Sequence, residues 1–510
     1  MWFFNFFNSP VNFYSFDLIF FILSTFIIFI FGVHFSDKNV ITLSENNNMK
    51  FSSNLSCRVY PILTPVITSL SILALFLVLF IICKNGIYFS GLFSNSILID
   101  QGVFYAKIVI IGFAICCLFA SFNYLSSFKF NSFEYITLLN IALLGILLVA
   151  SSFDFILVYL AIELQSLSFY ILASLKRNSV FSTEAGLKYF ILGAVSSGFL
   201  LLGISLIYGY TGLTNFEELI QYFLNGDLNN VIILGLLFII VAFLFKLTAA
   251  PFHMWSPDVY EGAPTIISMF FAVVPKFAIV VLLIRILVSV FFDYITIWQP
   301  IILLSAFVSI LISTFASIKQ TKIKRFLAYS SIAHIGFILL GIAVGTAEGI
   351  QGAIFYSIAY VVMTIGVWAF VLTFYSYSNN NIIYISDLAS FYRINPIIAI
   401  TFLSIMFSMA GVPPFLGFFS KFFIFFATIE ASFYFISIIC ILMSVIGSYY
   451  YIRFVKVIFF ENSANWVVLK PIHRSLAFVL GLVLIIIACF IFYPNILYLF
   501  SHKLAYLLCI

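Results

Sequence analysis

Long apolar segments follow one another along almost the whole chain and are separated by short polar loops. A window of about twenty apolar residues is long enough to cross the hydrocarbon core of a bilayer as a helix. We place about fourteen such windows. They lie near residues 17–33, 62–83, 103–125, 132–150, 153–174, 183–210, 229–248, 264–290, 298–317, 323–344, 350–376, 394–428, 432–460 and 474–493. The pattern predicts an all-α polytopic membrane protein. It does not decide whether 394–428 is one interrupted helix or two short ones.

Composition supports a membrane protein. Hydrophobic residues make up 64% of the 510 residues and charged residues only 8%, whereas an ordinary soluble domain has about 25% charged residues. A soluble fold of this length could not cover its surface with so few charges. Phenylalanine is in excess, with 67 residues, which we interpret as the codon bias of an AT-rich organellar genome. The basic residues are dispersed, so nucleic-acid binding has no support.

Loop charges indicate an orientation. The loops after odd-numbered spans carry basic residues such as Lys176 and Lys324, and those after even-numbered spans carry mainly acids such as Asp100 and Glu348. Basic loops stay on the inner side of a membrane. Both termini are therefore expected on the outer, positive side.

One span is interrupted by charge and proline together. An apolar run from Val231 to Phe245 leads directly to Lys246, and Pro251 and His253 follow. A lysine at the centre of a membrane helix costs roughly 2.5–3.5 kcal/mol, and proline removes a helical hydrogen bond that only a protein-lined or wet cavity can replace. The alternative is a helix end with a snorkelling lysine.

A second span, five spans later, has the same features. Pro413, Pro414 and Phe415 precede Lys421 in an otherwise apolar segment. Paired interrupted helices are typical of inverted-repeat transporters, and an odd number of spans between the copies inverts one relative to the other. The chain is therefore predicted to contain discontinuous helices near 246–257 and 410–421.

Several ionisable residues lie inside predicted spans or, for His253, directly after the first break, where loops cannot explain them. They are Glu163, Lys188, Lys246, His253, Lys276, His334 and Lys421. Four lysines cannot all be paired with one acid. Buried lysines and histidines can exchange protons near neutral pH, so the set is interpreted as a proton relay. For the two histidines the alternative is a polar residue that bonds a neighbouring helix.

Four segments resemble a known family. Leu160–Leu167, Phe245–Pro264, Ala328–Gly336 and Ala410–Lys421 are similar to the antiporter-like membrane subunits of respiratory complex I, NADH:ubiquinone oxidoreductase, above all to its subunit 2 branch. The resemblance runs from about residue 130 to 460. It implies two inverted five-helix repeats at 131–290 and 291–460, with three helices in 1–130 and a fourteenth helix and tail in 461–510.

The resemblance also implies roles for the buried charges. Glu163 and Lys246 would be the coupled acid–lysine pair of the first half-channel, Lys276 the central relay, and Lys421 the lysine nearest the exit. His253 and His334 match positions on the polar axis between them. Lys188 matches a position at which the subunit 2 branch carries a lysine.

The expected function is proton translocation coupled to electron transfer elsewhere in the complex. No nucleotide loop, flavin motif or CxxC pair is found in the sequence, so no cofactor is expected on this chain. By the resemblance, NADH, FMN, iron–sulfur clusters and ubiquinone belong to other subunits. The alternatives are a subunit of a cation/proton antiporter complex and a structural spacer that keeps its lysines without using them.

The resemblance implies partners and a location as well. Expected partners are the lipid bilayer and other membrane-arm subunits, namely the antiporter-like subunit 4 and a small 4L-like neighbour. The expected location is the mitochondrial inner membrane, with both termini toward the intermembrane space. The alternative is a bacterial plasma membrane.

Overall fold

The computed structural model describes residues 16–45, 63–85, 90–122, 133–225, 229–374, 383–462 and 472–509. Within these ranges the chain is almost entirely helical. The first helices are α1 Phe16–Glu45, α2 Leu63–Asn85, α3 Gln101–Ser121, α4 Glu134–Ser151, α5 Phe155–Ala173, α6 Val180–Thr211, α7 Phe216–Asn225, α8 Asn230–Leu247, α9 Trp255–Gly262 and α10 Thr265–Ile284. The remaining helices are α11 Ile295–Lys319, α12 Ile323–Val344, α13 Ala347–Leu372, α14 Phe391–Ile394, α15 Pro396–Ala410, α16 Leu416–Glu430, α17 Tyr434–Phe460, α18 Arg474–Phe492 and α19 Asn495–Cys509.

The predicted spans are confirmed in number and type. Among the described residues, 13 helices are long and apolar enough to cross a membrane. The other predicted span, near 394–428, is the pair of 15-residue half-helices α15 and α16. Neither half alone is long enough to span the hydrocarbon core. The uncertain segment is therefore one interrupted helix made of two short pieces.

The centre of the protein consists of helices that are buried on all sides. Every residue of α10 after Thr265 is buried, and α12 and α13 are nearly as enclosed. In contrast, α1, α6 and α17 expose large apolar side chains, as expected for helices that face lipid or another subunit. Polar residues on α10, α12 and α13 are thus shielded from both water and lipid.

Besides the four-residue helix α14, one hairpin and two helices in the described residues were not predicted. Strands β1, Ser90–Leu92, and β2, Ile97–Ile99, form an antiparallel hairpin before α3. Helix α7 lies between two spans and packs against the π-helical end of α10, Arg285–Val290. Helix α19 occupies part of the expected tail and packs against α13. All three are too short to register as membrane spans.

Arg285 holds together three helix ends at one face of the bundle. This buried side chain lies at the end of α10 and pairs with Asp100 at 3.0 Å. Asp100 also caps the N-terminus of α3 by accepting from the Val103 amide. The Arg285 guanidinium donates to the carbonyls of Ala150 and Ser152 at the end of α4, at 3.4 and 3.5 Å. The helix that carries Lys276 is therefore fixed to the first half of the bundle.

A buried ion pair joins the first helix to the third. Lys107 on α3 lies 2.7 Å from Asp17 in the first turn of α1, and both side chains are almost fully enclosed. A carboxylate near a helix N-terminus is favoured by the helix dipole. The contact supports a unit of helices in residues 1–130, although the domain boundaries at 130, 290 and 460 stay a prediction.

Lys107→Met should destabilise the protein, because it leaves the Asp17 carboxylate buried without its cation. Removing one partner of a buried ion pair costs about 3–5 kcal/mol. Adding Asp17→Leu to Lys107→Met should recover most of that loss. Thermal unfolding of the purified protein measures both changes, and Lys84→Ala, at an exposed lysine, is the control. Equal midpoints for Lys107→Met and the control would contradict this account of the pair.

Candidate proton-transfer axis

The first interrupted helix ends inside the membrane by a left-handed turn. Thr248 caps α8 with φ 65°, and the Ala249 amide donates to the Leu244 carbonyl at 2.9 Å. The indole nitrogen of Trp255 donates to the Phe245 carbonyl at 3.1 Å. These bonds satisfy carbonyls that the helix end would leave unpaired. The chain then resumes as α9.

The second interrupted helix ends in the same way. Gly411 caps α15 with φ 87°, a conformation that glycine adopts without steric cost. The Val412 amide donates to the Phe407 carbonyl at 3.1 Å, as Ala249 does to Leu244 at the first break. The two breaks therefore share one hydrogen-bond pattern, which supports the predicted internal repeat.

The lysines do not occupy equivalent positions at the two breaks. Pro251 follows the left-handed residue by three positions, as Pro414 does at the second break. Aligned on these prolines, Lys421 falls at the position of Asp258 and not of Lys246. Lys246 lies in the half-helix before its break and Lys421 in the half-helix after it. The two breaks are therefore alike in backbone conformation, whereas their lysines lie on opposite sides of the break.

Lys421 is solvated by the helix end that faces it. Its buried Nζ donates to the carbonyls of Ala410 at 2.9 Å and Met409 at 3.3 Å, in the last turn of α15. The negative end of a helix dipole favours a cation. The Phe337 ring lies 5.7 Å from the same nitrogen. The second break therefore provides a site for an ammonium group.

Glu163 and Lys246 are not in direct contact. Glu163 lies in the middle of α5, partly buried, with its carboxylate 3.3 Å from the Ser166 hydroxyl. The Nζ atom of Lys246 is buried and has no hydrogen-bond partner among the described residues. Among the described residues, this nitrogen forms no ion pair with Glu163 within 4.0 Å. The coupling of Glu163 to Lys246 therefore stays a prediction.

Lys276 lies deep in the centre between two tyrosines. Its Nζ is 5.7 Å from the Tyr260 ring and 5.6 Å from the Tyr360 ring, and it donates to the Tyr360 hydroxyl at 3.4 Å. The side chain is buried. In the part of the chain that the structure describes, it forms no ion pair. Aromatic faces and one hydroxyl are the groups that receive this cation.

His334 lies close to the central lysine, since its ring centre is 5.4 Å from that of Tyr360, whose hydroxyl accepts from Lys276. Its Nδ1 is 2.7 Å from the Tyr356 hydroxyl and its Nε2 is 3.0 Å from the Tyr451 hydroxyl. Both nitrogens of this buried ring are thus engaged. The described hydrogen bonds thus join Lys276 to Tyr360, and His334 to Tyr356 and Tyr451.

His253 is buried directly after the first break. Its Nδ1 has no hydrogen-bond partner among the described residues, so bonding to a neighbouring helix through that atom does not account for it. Its place beside the broken helix agrees with a position on the axis. Its part in a relay stays a prediction.

The interpretation of Lys188 as a lysine without an acidic partner is wrong. Its Nζ lies 2.7 Å from Glu184 and 2.9 Å from Asp258, and the side chain is 42% exposed. Arg325 also pairs with Asp258, at 2.8 Å. These side chains, with Glu261 and Lys322, line a pocket of about 200 Å³ at the surface. Lys188 therefore belongs to a charged surface cluster, and only its relay role stays a prediction.

The tyrosines of the axis were missed from the sequence. They are Tyr260, Tyr356, Tyr360 and Tyr451. The chain has 28 tyrosines, and no local spacing separates these four from the others.

Within the described residues, no group of three or more His, Cys, Asp or Glu side chains could hold a metal ion.

These features define a class: a polytopic membrane protein with paired interrupted helices and buried charges along one internal axis. The family model described as NADH:quinone oxidoreductase/Mrp antiporter, TM, matches residues 152–447. The chain is 40% identical to NADH-ubiquinone oxidoreductase chain 2 of Marchantia polymorpha, over 97% of this chain and 98% of that protein. It is 42% identical to NADH-quinone oxidoreductase subunit N 1 of Rhizobium meliloti, over 78% and 83% of the two chains.

Two solved structures have the same fold. A chain of respiratory complex I from Thermus thermophilus with bound aureothin has a TM-score of 0.76 at 24% identity, covering 94% of this chain and 98% of that one. A chain of the Mrp complex from Dietzia sp. DQ12-45-1b has a TM-score of 0.78 at 16% identity, covering 97% of each. The protein belongs to the NADH:quinone oxidoreductase/Mrp antiporter family.

Gly417→Ala should disturb the second break. A Cβ atom at Gly417 would overlap the backbone carbonyl oxygen of Ser408, so α16 must move away from α15 and Lys421 with it. Overpacking of this kind costs about 1–3 kcal/mol. Gly112→Ala is a matched control, because a Cβ there meets nothing within 4 Å. Thermal unfolding compares the two variants, and an unchanged midpoint for Gly417→Ala would contradict the described packing.

Proposed function

We propose that this chain is a proton-translocating membrane-arm subunit of an NADH:ubiquinone oxidoreductase and has no redox centre of its own. The observation that carries the proposal is the 40% identity to a chain 2 protein over nearly the whole length. The buried lysine axis from α8 to α16 supports it. Such an axis can move protons, whereas electron transfer requires cofactors.

The proposed mechanism is electrostatic coupling between stations. Loss or gain of charge at Glu163 changes the proton affinity of Lys246, because Coulomb interactions are strong in a low dielectric. Charges at Lys276, His334 and Lys421 would influence one another in the same way. A proton that arrives at one station therefore favours release from the next.

Several proton-binding groups in series are suited to moving a proton across the membrane. Moving one charge across a membrane costs about 2.3 kcal/mol per 100 mV. A path divided into short steps avoids a single bare charge in hydrocarbon. In this proposal the first break presents Lys246 to Glu163, and the second solvates Lys421 with carbonyl groups.

The proposed orientation rests on the two ends of α10. Near its start, Lys324 donates to the Ala263 carbonyl at 2.6 Å, beside the cluster with Lys322 and Arg325. Its other end carries the Arg285–Asp100 pair. Twenty helical residues extend about 30 Å, enough to cross a bilayer. With basic loops inside, both termini would face the outer side.

We also propose which cofactors, neighbouring subunits and membrane surround this chain. NADH, FMN, iron–sulfur clusters and ubiquinone would be bound by other subunits. The neighbours would be an antiporter-like subunit 4 and a small 4L-like subunit. The membrane would be the mitochondrial inner membrane, which the phenylalanine-rich composition favours over a bacterial plasma membrane.

The second candidate is a subunit of a cation/proton antiporter complex. The shared fold with the Mrp complex chain favours it, but at 16% identity that likeness concerns the fold alone. The 40% identity to a chain 2 protein favours the first candidate. Copurification separates them: a large NADH-oxidising assembly supports the first, and a small flavin-free assembly supports the second.

Lys246→Ala should abolish NADH-driven proton pumping, with or without a fall in electron transfer. The substitution removes the proton-binding group whose proton affinity depends on Glu163. Pumping is measured in the assembled complex in proteoliposomes, with NADH oxidation followed in parallel. Lys319→Ala, at an exposed lysine at the end of α11, is the control. Full pumping by a normally assembled Lys246→Ala complex would favour the structural-spacer alternative.

A further inference from the structure

Two pockets open along one face of helix α6. One is the charged surface pocket of about 200 Å³, to which α6 contributes Phe181, Glu184, Ala185 and Lys188. The other is an apolar pocket of about 230 Å³, to which α6 contributes Leu192, Val195, Ser196 and Phe199. Steps of three and four residues connect these positions, so they form one stripe along the helix.

Helix α9 connects the same two pockets. Asp258 and Glu261 line the charged pocket, and Trp255 lines the apolar pocket together with Pro251 of the first break. Trp255 and Asp258 are three residues apart and are therefore neighbours on the helix surface. The two pockets thus adjoin along both helices, and together we call them the α6–α9 groove.

The groove extends from one end of the bundle into the membrane. Its charged part lies beside the first turns of α6 and α12, which begin after Ser179 and Lys322. Its apolar part lies beside the first break. A helix rises about 1.5 Å per residue, so the stripe from Phe181 to Phe199 is about 27 Å long. One bilayer leaflet with its headgroups is about 20 Å thick, so the groove is long enough for a lipid of one leaflet.

The charged part is a continuous row of ion pairs with alternating sign. The row runs through Glu184, Lys188, Asp258, Arg325, Glu261 and Lys322. Three carboxylates and three cations leave the row without net charge. A strongly anionic ligand would meet as many like charges as opposite ones. A zwitterionic ligand, in contrast, can place each of its charges beside an opposite one.

Two neighbouring side chains of the row keep capacity for a ligand. The Lys188 ammonium has three N–H donors, and its pairs with Glu184 and Asp258 use two of them. Glu184 is exposed, and among the described residues its carboxylate has only the Lys188 ion pair. A phosphate oxygen can therefore accept from Lys188 while a primary ammonium donates to Glu184. Such charge-assisted hydrogen bonds are the strong ones.

The polar side chains of the apolar part are already engaged. The Ser196 hydroxyl donates to the Gly193 carbonyl at 2.7 Å, and the Trp255 indole nitrogen donates to the Phe245 carbonyl. The other lining residues are apolar. An acyl chain that lies there exchanges contact with bulk lipid for contact with protein, which gives little selectivity by itself. The charged part must therefore select the ligand.

We propose that the α6–α9 groove binds one phosphatidylethanolamine molecule. Its phosphate accepts from Lys188, its ammonium donates to Glu184, and one acyl chain fills the apolar pocket. The chain covers the outer side of the first break, next to the Trp255–Phe245 hydrogen bond, and keeps water from entering there. The competing occupant of the groove is an apolar helix of a neighbouring subunit.

The first test locates the acyl chain. The assembled complex that contains this chain is reconstituted in phosphatidylcholine vesicles with a phosphatidylethanolamine that carries a photoreactive diazirine at the end of one acyl chain. After illumination, mass spectrometry of the peptides should find the label near Leu192 and Trp255. Excess unlabelled phosphatidylethanolamine should displace it, because a specific site saturates.

A matched pair of variants tests the pocket. Leu192→Trp fills the apolar part, and labelling near Trp255 should fall about tenfold, which corresponds to about 1.4 kcal/mol of binding free energy. Leu201→Trp is the control. Leu201 lies nine residues further along α6, on the opposite face, and the two leucines are similarly exposed, at 40% and 48%. Labelling of the Leu201→Trp complex should equal that of the unmodified one.

A second test concerns the headgroup. Unlabelled phosphatidylethanolamine should compete better than phosphatidylcholine, whose ammonium has no N–H, and better than the anionic cardiolipin. Glu184→Gln should remove the preference for phosphatidylethanolamine over phosphatidylcholine. Glu218→Gln, at an exposed acid outside the groove, should retain it. If Leu192→Trp does not assemble, competition on the unmodified complex decides the outcome.

Labelling that does not saturate, or that Leu192→Trp leaves unchanged, would overturn the lipid site. Crosslinks from the groove to a helix of another subunit would assign the groove to that subunit. Equal competition by the two zwitterionic lipids would overturn the ammonium contact with Glu184. All of these tests measure lipid binding, so their outcome is independent of whether the chain translocates protons.

Discussion

The hydrocarbon core offers no water to an exposed backbone group, so a helix that ends inside it must have its last carbonyls satisfied by protein. Two helices of this protein end there, and the rest of the axis depends on how those ends are closed. Each uses a left-handed turn, at Thr248 and Gly411. At the second end the Lys421 ammonium donates a hydrogen bond to the Ala410 carbonyl, as a water molecule would in solution. The break and the buried charge are therefore one structural feature.

The architecture could be predicted because its causes are local in sequence. Apolar runs of membrane length mark the spans, and proline beside lysine marks the breaks near Pro251 and Pro414. The short helix Phe216–Asn225 and the hairpin before α3 lack any run of that length, so the same criterion could not find them. A hydrophobic pattern can identify an element only when the element is long enough for the pattern to repeat. This helix and this hairpin are too short for that.

The charged residues of the site could be predicted from the sequence, but the side chains that contact them could not. A lysine in an apolar run is visible at once, whereas its neighbours depend on the fold. Lys188 pairs with Asp258, 70 residues away, and His334 bonds Tyr451, 117 residues away. No spacing rule connects such residues. The sequence therefore indicated which groups are costly to bury, and only packing shows that one of them is paired at the surface.

In the proposed function, protons cross the middle of the protein along buried lysines, and Lys276 is the most enclosed of these lysines. The most direct measurement is the ratio of protons pumped to NADH oxidised by an assembled complex that carries Lys276→Ala. This ratio should fall, even where electron transfer continues. An unchanged ratio in a normally assembled complex would contradict the proposed function, because no proton could then depend on the centre of the axis.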